Sequence, residues 1–156
     1  KRHMNIESFS TSLSEIKNVF RYVIVVSTTK EKVKKIVSQI EKQVDVIKAF
    51  YHTDKETIFQ ESALYKVKSS SLFEQRHIQN VIKNSNANIV TVSPEYFVIE
   101  KTGFRHETEQ LYKDLEPYGL LQFVRSGRIS VTKSKMGISD ILNTFKGNNY
   151  KKKKNE

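Results

Sequence analysis

Cysteine is absent from the 156 residues, which excludes disulfides, thiolate zinc sites, iron–sulfur clusters and thiol nucleophiles together. Long apolar runs are also missing, since no stretch approaches the roughly 18 residues that a membrane-spanning helix needs. The opening residues, KRHMNIES, carry positive charge without an apolar segment behind it, so they lack the form of a secretory signal. We therefore expect a protein of the cytoplasm.

Glycine and histidine are scarce, and their spacing forms no catalytic or metal-binding motif. The five glycines never make a G-x-G-x-x-G loop, and no serine lies in a G-x-S-x-G turn. The four histidines include no i, i+4 pair, and we expect them at the surface or the edge of the core. Two acidic pairs, Glu107 with Glu109 and Glu56 with Glu61, lie in polar stretches that we expect to be solvated, whereas catalytic carboxyls occupy perturbed pockets. The sequence thus predicts neither a catalytic residue nor a metal site.

Positive charge is abundant by contrast, with 27 basic and 17 acidic side chains and a net charge of +10. The end of the chain, KGNNYKKKKNE, holds five lysines and one glutamate, which leaves a net charge of +6 for residues 1–145. Because this end has almost nothing to bury, we predict a disordered basic tail over residues 135–156. Much of the remaining charge falls between the apolar positions of KEKVKKIVSQIEKQ, a pattern typical of a solvated helix face.

The first 54 residues predict the element order β-β-α-β. The opening NIESFSTS and the β-branched segment Val19–Thr29 indicate strands. Lys30–Gln43 is predicted to be helical, because its apolar residues recur at i, i+3, i+4 and i+7 and because Thr28 or Thr29 can cap its start. Val44–Tyr51 then indicates another strand, which ends at the polar HTDKE.

Residues 62–134 predict the order β-α-β-β-α-β, which is that of a ferredoxin-like fold. Pro117 and Gly119 stop the second helix. Two strands, Leu120–Val124 and Arg128–Thr132, flank an R-S-G segment that is either a turn or a bulge in one strand. The earlier elements are a strand at Ala63–Val67, a helix marked by Phe73 to Ile82, strands at Ile89–Val92 and Tyr96–Lys101, and a helix over Phe104–Glu116.

The two element orders are related, because the first equals the second without its opening strand and helix. We therefore predict an α+β chain of two tandem ferredoxin-like sandwiches. The predicted divisions are a shortened first domain over residues 1–54, a linker over 55–61 and a second domain over 62–134. Helices cover one face of each sheet, so the other face and the open edges need a partner, such as a second copy.

A nucleic-acid-binding module of the same fold is the alternative that the charge suggests. Such a module needs exposed aromatics on its central strands in a pattern such as K/R-G-F/Y-G/A-F-V-x-F/Y, which no segment matches. Tyr96 and Phe97 are adjacent, so they point to opposite faces of their strand. Phe123, Arg125 and Arg128 interleave basic and aromatic side chains, but packing with a surface arginine pair explains them equally. Nucleic-acid binding therefore stays a minority hypothesis.

Several strings, in order from residue 2 to about residue 134, resemble the small regulatory subunit of acetolactate synthase (acetohydroxyacid synthase). They are HMNIESFSTS, IEKQVDVIKAFYHTD, ALYKV, IVTVSPEYFVIEKTG and YGLLQFVRSGRISVTK. The resemblance implies an ACT domain in the N-terminal half and a second ferredoxin-like domain in the C-terminal half. Both agree with the element orders above.

The resemblance implies a non-catalytic role. Subunits of this kind dimerise through their ACT domains, bind and activate the catalytic subunit, and confer feedback inhibition by a branched-chain amino acid, usually valine. Thiamine diphosphate, flavin (FAD) and magnesium then belong to the catalytic subunit, and no cofactor is expected on this chain. The dimer is expected to be a homodimer or a higher assembly of it.

The effector site implied by the resemblance lies at the ACT dimer interface and includes the NIES segment, here Asn5 and Ile6. An Asn amide offers donors and an acceptor that suit an amino acid, and the alternative is that Asn5 only satisfies backbone groups at the start of a strand. The sequence begins after the family's first strand, glycine-containing loop and first helix. We therefore expect an N-terminally truncated ACT domain that binds valine weakly or not at all.

A second candidate site comes from the residues themselves. Arg125, Ser126, Gly127 and Arg128 form a glycine-containing basic break between two predicted strands, and such a break can project as a partner surface. A structural bulge explains the same residues equally well.

Overall fold

A computed structural model of the protein describes residues 4–14, 16–74 and 76–135. The strands are β1 Ile6–Leu13, β2 Phe20–Val26, β3 Thr57–Lys68, β4 Asn88–Val92, β5 Tyr96–Gly103, β6 Leu120–Arg125 and β7 Ile129–Thr132. The helices are α1 Lys30–Ile40, α2 Ser69–Glu74, α3 Arg76–Asn84 and α4 Arg105–Leu115, with short 3-10 turns at Asp54–Glu56 and Glu116–Tyr118. The predicted α+β class is confirmed. The basic tail predicted for residues 135–156 lies, but for its first residue, outside the described part.

The chain divides into two compact units, and the smaller one contains Ser27–Ile58 with described residues from both chain ends. Its helix α1 begins as predicted, because the Thr29 hydroxyl accepts a hydrogen bond of 3.4 Å from the Lys32 amide. The helix ends at Ile40, three residues before the predicted end. The sequence pattern therefore placed the start of this helix better than its end.

The predicted strand Val44–Tyr51 is wrong, since this segment consists of turns and irregular backbone. The Glu41 carboxylate accepts a hydrogen bond of 3.3 Å from the Ala49 amide and lies 2.6 Å from the Lys48 ammonium. These contacts hold the segment back against the end of α1. Val44, the first residue of the predicted strand, is 99% exposed. A local side-chain contact thus replaces the strand pairing that the alternation predicted.

The larger unit contains Ile6–Val26 and Phe59–Ser130, and most of its strands form one sheet. The sheet has the order β4-β5-β3-β6, and β7 also pairs with β3. The neighbours β4–β5, β5–β3 and β3–β6 are antiparallel. This is the predicted ferredoxin-like order, with the first helix divided into α2 and α3. Gly119 has a φ of +78° and follows the 3-10 turn at the end of α4, where Pro117 and Gly119 predicted a stop.

The core of the larger unit lies between one face of this sheet and the helices. Its side chains are Ala63, Tyr65 and Val67 of β3, Phe97 and Ile99 of β5, Ile78 and Ile82 of α3, and Leu111 and Leu115 of α4. Alternate residues of the strands enter this core, as the period of two in a strand requires. The Tyr65 hydroxyl donates a hydrogen bond of 2.7 Å to the carbonyl oxygen of Thr108, which ties β3 to α4.

β1 and β2 form a separate antiparallel hairpin with two chemically different faces. Ser8 and Ser10 of β1 lie on the half-buried face with Val23 and Val25 of β2. The opposite face is apolar and exposed, and it carries Phe9, Leu13, Phe20, Tyr22 and Ile24. An irregular pairing between Ile6 and Ser8 adds Ile6 to this face, opposite Val26. The serine face contacts the main chain of Arg128 through Ser8 and Ser10.

Candidate functional site

The segment Ser126–Arg128 interrupts the edge of β3, because β6 and β7 on either side of it both pair with that strand. The Ser126 amide donates a hydrogen bond of 2.8 Å to the Ser62 carbonyl oxygen, and the Ser62 amide donates one of 2.9 Å to Ser126 Oγ. These two bonds hold the segment against β3. The sequence left a turn and a bulge as alternatives. In the structure, β6 and β7 pair with the same strand, β3, and Ser126–Arg128 interrupts this pairing.

Gly127 lies directly against β1. A Cβ atom at this position would stand 2.8 Å from the Ser10 Cβ and 2.9 Å from the Phe9 carbonyl oxygen, closer than real Cβ contacts. The nearest obstacle includes main chain, which cannot rotate away as the end of a side chain can. The close approach of the segment to β1 therefore requires glycine at position 127.

Arg128 is bound to β1 through its main chain. Its amide donates a hydrogen bond of 3.0 Å to Ser8 Oγ, and its carbonyl oxygen accepts one of 3.1 Å from Ser10 Oγ. The guanidinium carbon lies 3.9 Å from the centroid of the Phe59 ring, within the range of a cation–π contact. The main chain of Arg128 thus serves as the attachment point of the serine face of β1, while its side chain stacks on β3.

Arg125 points to the helix side of the sheet and is 21% exposed. Its guanidinium lies 3.1 Å from the Glu109 carboxylate and 3.5 Å from that of Glu61. A hydrogen bond from Arg105, and then one from Arg125, holds the pKa of Glu109 below its usual range. Arg125 therefore joins β6 to α4 and β3. Its role as a partner contact remains a prediction.

Glu61 departs from the expected solvation of the acidic pairs, because its side chain is only 13% exposed. Its carboxylate accepts a hydrogen bond of 3.1 Å from the Thr108 hydroxyl in addition to the ion pair with Arg125. The two other carboxylates, Glu107 and Glu56, accept hydrogen bonds from backbone amides at the starts of α4 and of the first 3-10 turn. These acids act structurally, which sequence spacing alone did not indicate.

Asn5 and Ile6 lie at the start of β1, and both are exposed. Ile6 pairs with Val26 and belongs to the apolar face of the hairpin. Ser8 and Ser10, which bond Arg128, follow on the same strand two and four residues later. One strand thus carries part of the predicted effector site and the attachment to the predicted partner surface. The alternation of serine with larger residues in IESFSTSL is the signal that could have revealed this attachment.

No group of three or more histidine, aspartate or glutamate side chains in the described residues is arranged to hold a metal ion. His52, His77 and His106 are exposed, as predicted, and His3 lies outside the described part of the chain. No helix among the described residues is long and apolar enough to span a membrane. Within this part of the chain, the strongest functional geometry is the junction between β1 and Ser126–Arg128.

A protein-family model of the small subunit of acetolactate synthase matches residues 60–134. The acetolactate synthase small subunit of Mycobacterium bovis is 33% identical over 138 residues, which cover 88% of this chain and 82% of the relative. The chain belongs to the acetolactate synthase small subunit family. The Bacillus subtilis small subunit is 34% identical over 128 residues, which cover 81% of this chain and 74% of that protein.

A crystal structure of the family shares the fold of this chain. The acetolactate synthase small subunit of Thermotoga maritima superposes with a TM-score of 0.75 at 25% identity, covering 85% of this chain and 83% of that one. The resemblance found in the sequence is thereby confirmed at the level of family and fold.

Proposed function

We propose that this protein is the regulatory subunit of acetolactate synthase, which binds and activates the catalytic subunit and mediates feedback inhibition by valine. Membership of the small subunit family supports this role. The chain itself is then non-catalytic and assembles at least as a homodimer. Thiamine diphosphate, FAD and magnesium act on the catalytic subunit.

The observation that carries the regulatory part of the proposal is the junction between β1 and Arg128. An effector held at Asn5 and Ile6 lies at one end of β1, and Ser8 and Ser10 bind the main chain of Arg128 further along it. Because a strand rises about 3.3 Å per residue, the bonded serines lie about 7 and 13 Å along the strand from Ile6. An effector that binds more tightly to one position of β1 therefore also favours the position of Ser126–Arg128 that is bonded to this strand.

The nucleic-acid alternative is disfavoured by the burial of the central aromatics. Tyr65 of β3 and Phe97 of β5 are fully buried in the core, so neither offers a ring on which a base stacks. Tyr96 points to the other face of β5, where the Lys66 ammonium lies 4.0 Å from its ring centroid. The sheet thus lacks an exposed aromatic platform among its described residues.

Reconstitution with the purified catalytic subunit tests the proposal. Acetolactate formation from pyruvate is measured with increasing amounts of this chain, with and without valine. We expect stimulation that saturates with the amount of chain, and at most a weak decrease when valine is added, in line with the weak valine binding expected from the sequence. Absence of stimulation at every ratio would overturn the proposed function.

Two serine variants test the role of the junction between β1 and Arg128 separately. Ser10→Ala removes the hydrogen bond to Arg128, whereas Ser12→Ala alters an exposed serine of the same face and is the matched control. We expect Ser10→Ala to retain stimulation but to weaken the response to valine, and Ser12→Ala to behave as the wild type. Equal valine responses of the two variants would remove the junction from the mechanism.

A further inference from the structure

A groove of about 710 Å³, lined by both polar and apolar side chains, lies between α3 and α4, away from the junction with β1. The α3 side presents His77, Asn80 and Asn84, which share one helix face at i, i+3 and i+7. The α4 side presents His106 and Gln110 among others. Two carboxylates, Glu107 and Asp114, also line the groove, and each accepts a hydrogen bond, Glu107 from the Phe104 amide and Asp114 from Gln110.

Lys101 also lines the groove, and its position on β5 is unusual for a charged residue. It follows Phe97 and Ile99 on the core-facing side of that strand and is only 6% exposed. Burial of an ammonium group is unfavourable unless its charge is paired and its donors are hydrogen-bonded. Because the side chain of Lys101 is buried among core residues, its ammonium group is held at one position in the groove.

The cation is incompletely paired within the described residues. The Lys101 ammonium lies 3.8 Å from Glu107 Oε1, which is an ion-pair distance but longer than a hydrogen bond. The other oxygen of Glu107 accepts a hydrogen bond of 2.6 Å from the Phe104 amide at the start of α4. Since an ammonium has three donors, Lys101 retains donor capacity for an acceptor in the groove.

We propose that this groove binds a small anionic ligand, with Lys101 contacting its carboxylate or phosphate group. Asn80 and Asn84 supply uncharged donors and acceptors for the rest of the ligand. The proposal goes beyond the proposed function, since none of these residues belongs to the predicted effector site or to Ser126–Arg128. It adds a second ligand site, in the larger unit, that selects for an anionic group.

Chemical-shift titration of the full chain tests this site with two probes, inorganic phosphate and acetate, each at constant ionic strength against chloride. We expect saturable shifts of amides in α3, in α4 and at Lys101 with at least one probe. Saturation with phosphate alone identifies a phosphoryl ligand, and saturation with acetate alone identifies a carboxylate ligand. Shifts that saturate with neither probe, or that chloride reproduces, overturn the proposal.

Variants of the groove locate the binding. Lys101→Met keeps the apolar stem and removes the charge, so we expect binding about tenfold weaker or more, the loss of a hydrogen bond to a charged group. Lys101→Arg should retain binding, and Lys113→Met is the control at an exposed lysine of α4. Asn84→Ala, at an exposed position, should weaken binding even if Lys101→Met fails to fold. Undiminished binding by Asn84→Ala and by a folded Lys101→Met contradicts the site.

Discussion

Gly127→Ala probes the close packing between β1 and the segment Ser126–Arg128. The added Cβ would lie 2.8 Å from the Ser10 Cβ and 2.9 Å from the Phe9 carbonyl oxygen, whereas carbon atoms pack at about 3.5–4.0 Å. The strand must therefore move by about 1 Å, which strains packing by roughly 1–3 kcal/mol and lengthens the two hydrogen bonds between the serines and Arg128. We expect the free energy of unfolding to fall by about 2 kcal/mol, and Tm by about 4–8 °C.

Urea unfolding followed by circular dichroism measures this loss, and hydrogen exchange locates it. The Arg128 amide donates to Ser8 Oγ, so its exchange should accelerate in Gly127→Ala more than that of amides in the core of β5. Gly103→Ala is the comparison, because its Cβ meets side-chain ends rather than main chain, Glu107 Oε2 at 2.7 Å and Lys101 Cε at 3.5 Å. Displacing Glu107 weakens its bond to the Phe104 amide, so this variant should cost about 1 kcal/mol. An equal cost for both variants, or unchanged exchange at Arg128, would refute the reasoning.

Two further predictions concern buried and paired groups. Tyr65→Phe removes the hydrogen bond to the Thr108 carbonyl and should lower the free energy of unfolding by about 1 kcal/mol at neutral pH, measured in urea. Burial raises the pKa of Tyr65, so the wild type should lose stability as pH rises beyond about 10, and Tyr65→Phe should lose less. Arg105 and Arg125 lower the pKa of Glu109, so its contribution is present above about pH 4.5 and is lost as pH falls further. Glu109→Gln should flatten that acid-side decline in urea midpoint, and an unchanged slope would contradict the assigned pairing.

The elements that periodicity predicted well are those whose apolar residues share one buried or half-buried face. In α1, Val33, Ile36, Val37 and Ile40 follow a 3.6-residue period and are half-buried, and the helix forms there. In β3, alternation over ALYKV matches the burial of Ala63, Tyr65 and Val67. Such patterns reflect packing within the chain, so a single sequence is sufficient to recognise them.

Val44–Tyr51 shows where the pattern was insufficient. Its alternation of apolar and polar residues is equally compatible with a strand and with a loop, and only a neighbouring strand decides between them. Glu41 instead bonds the Ala49 amide and Lys48, contacts that sequence periodicity does not encode. Tertiary context thus overrode the local propensity of this segment.

The candidate site was predictable only in part, because its geometry depends on contacts distant in sequence. The R-S-G break was visible as a feature, but its attachment to Ser8 and Ser10 spans more than one hundred residues. The burial of Arg125 against Glu61 and Glu109 likewise follows from the pairing of β6 with β3 and the packing of α4. Lys101 alternates with Phe97 and Ile99, so its inward direction was readable once β5 was assigned.

The attachment of β1 and β2 has a consequence for local opening. The hairpin forms its own two-stranded sheet and meets Arg128 through serine side chains rather than through a shared ladder. Release of the hairpin therefore breaks no backbone bond between the strands of the larger sheet, and it requires less free energy than global unfolding. We therefore expect the hairpin to exchange between an attached and a released state while the core around Tyr65 stays folded, and a ligand that binds β1 in one of these states to shift their populations.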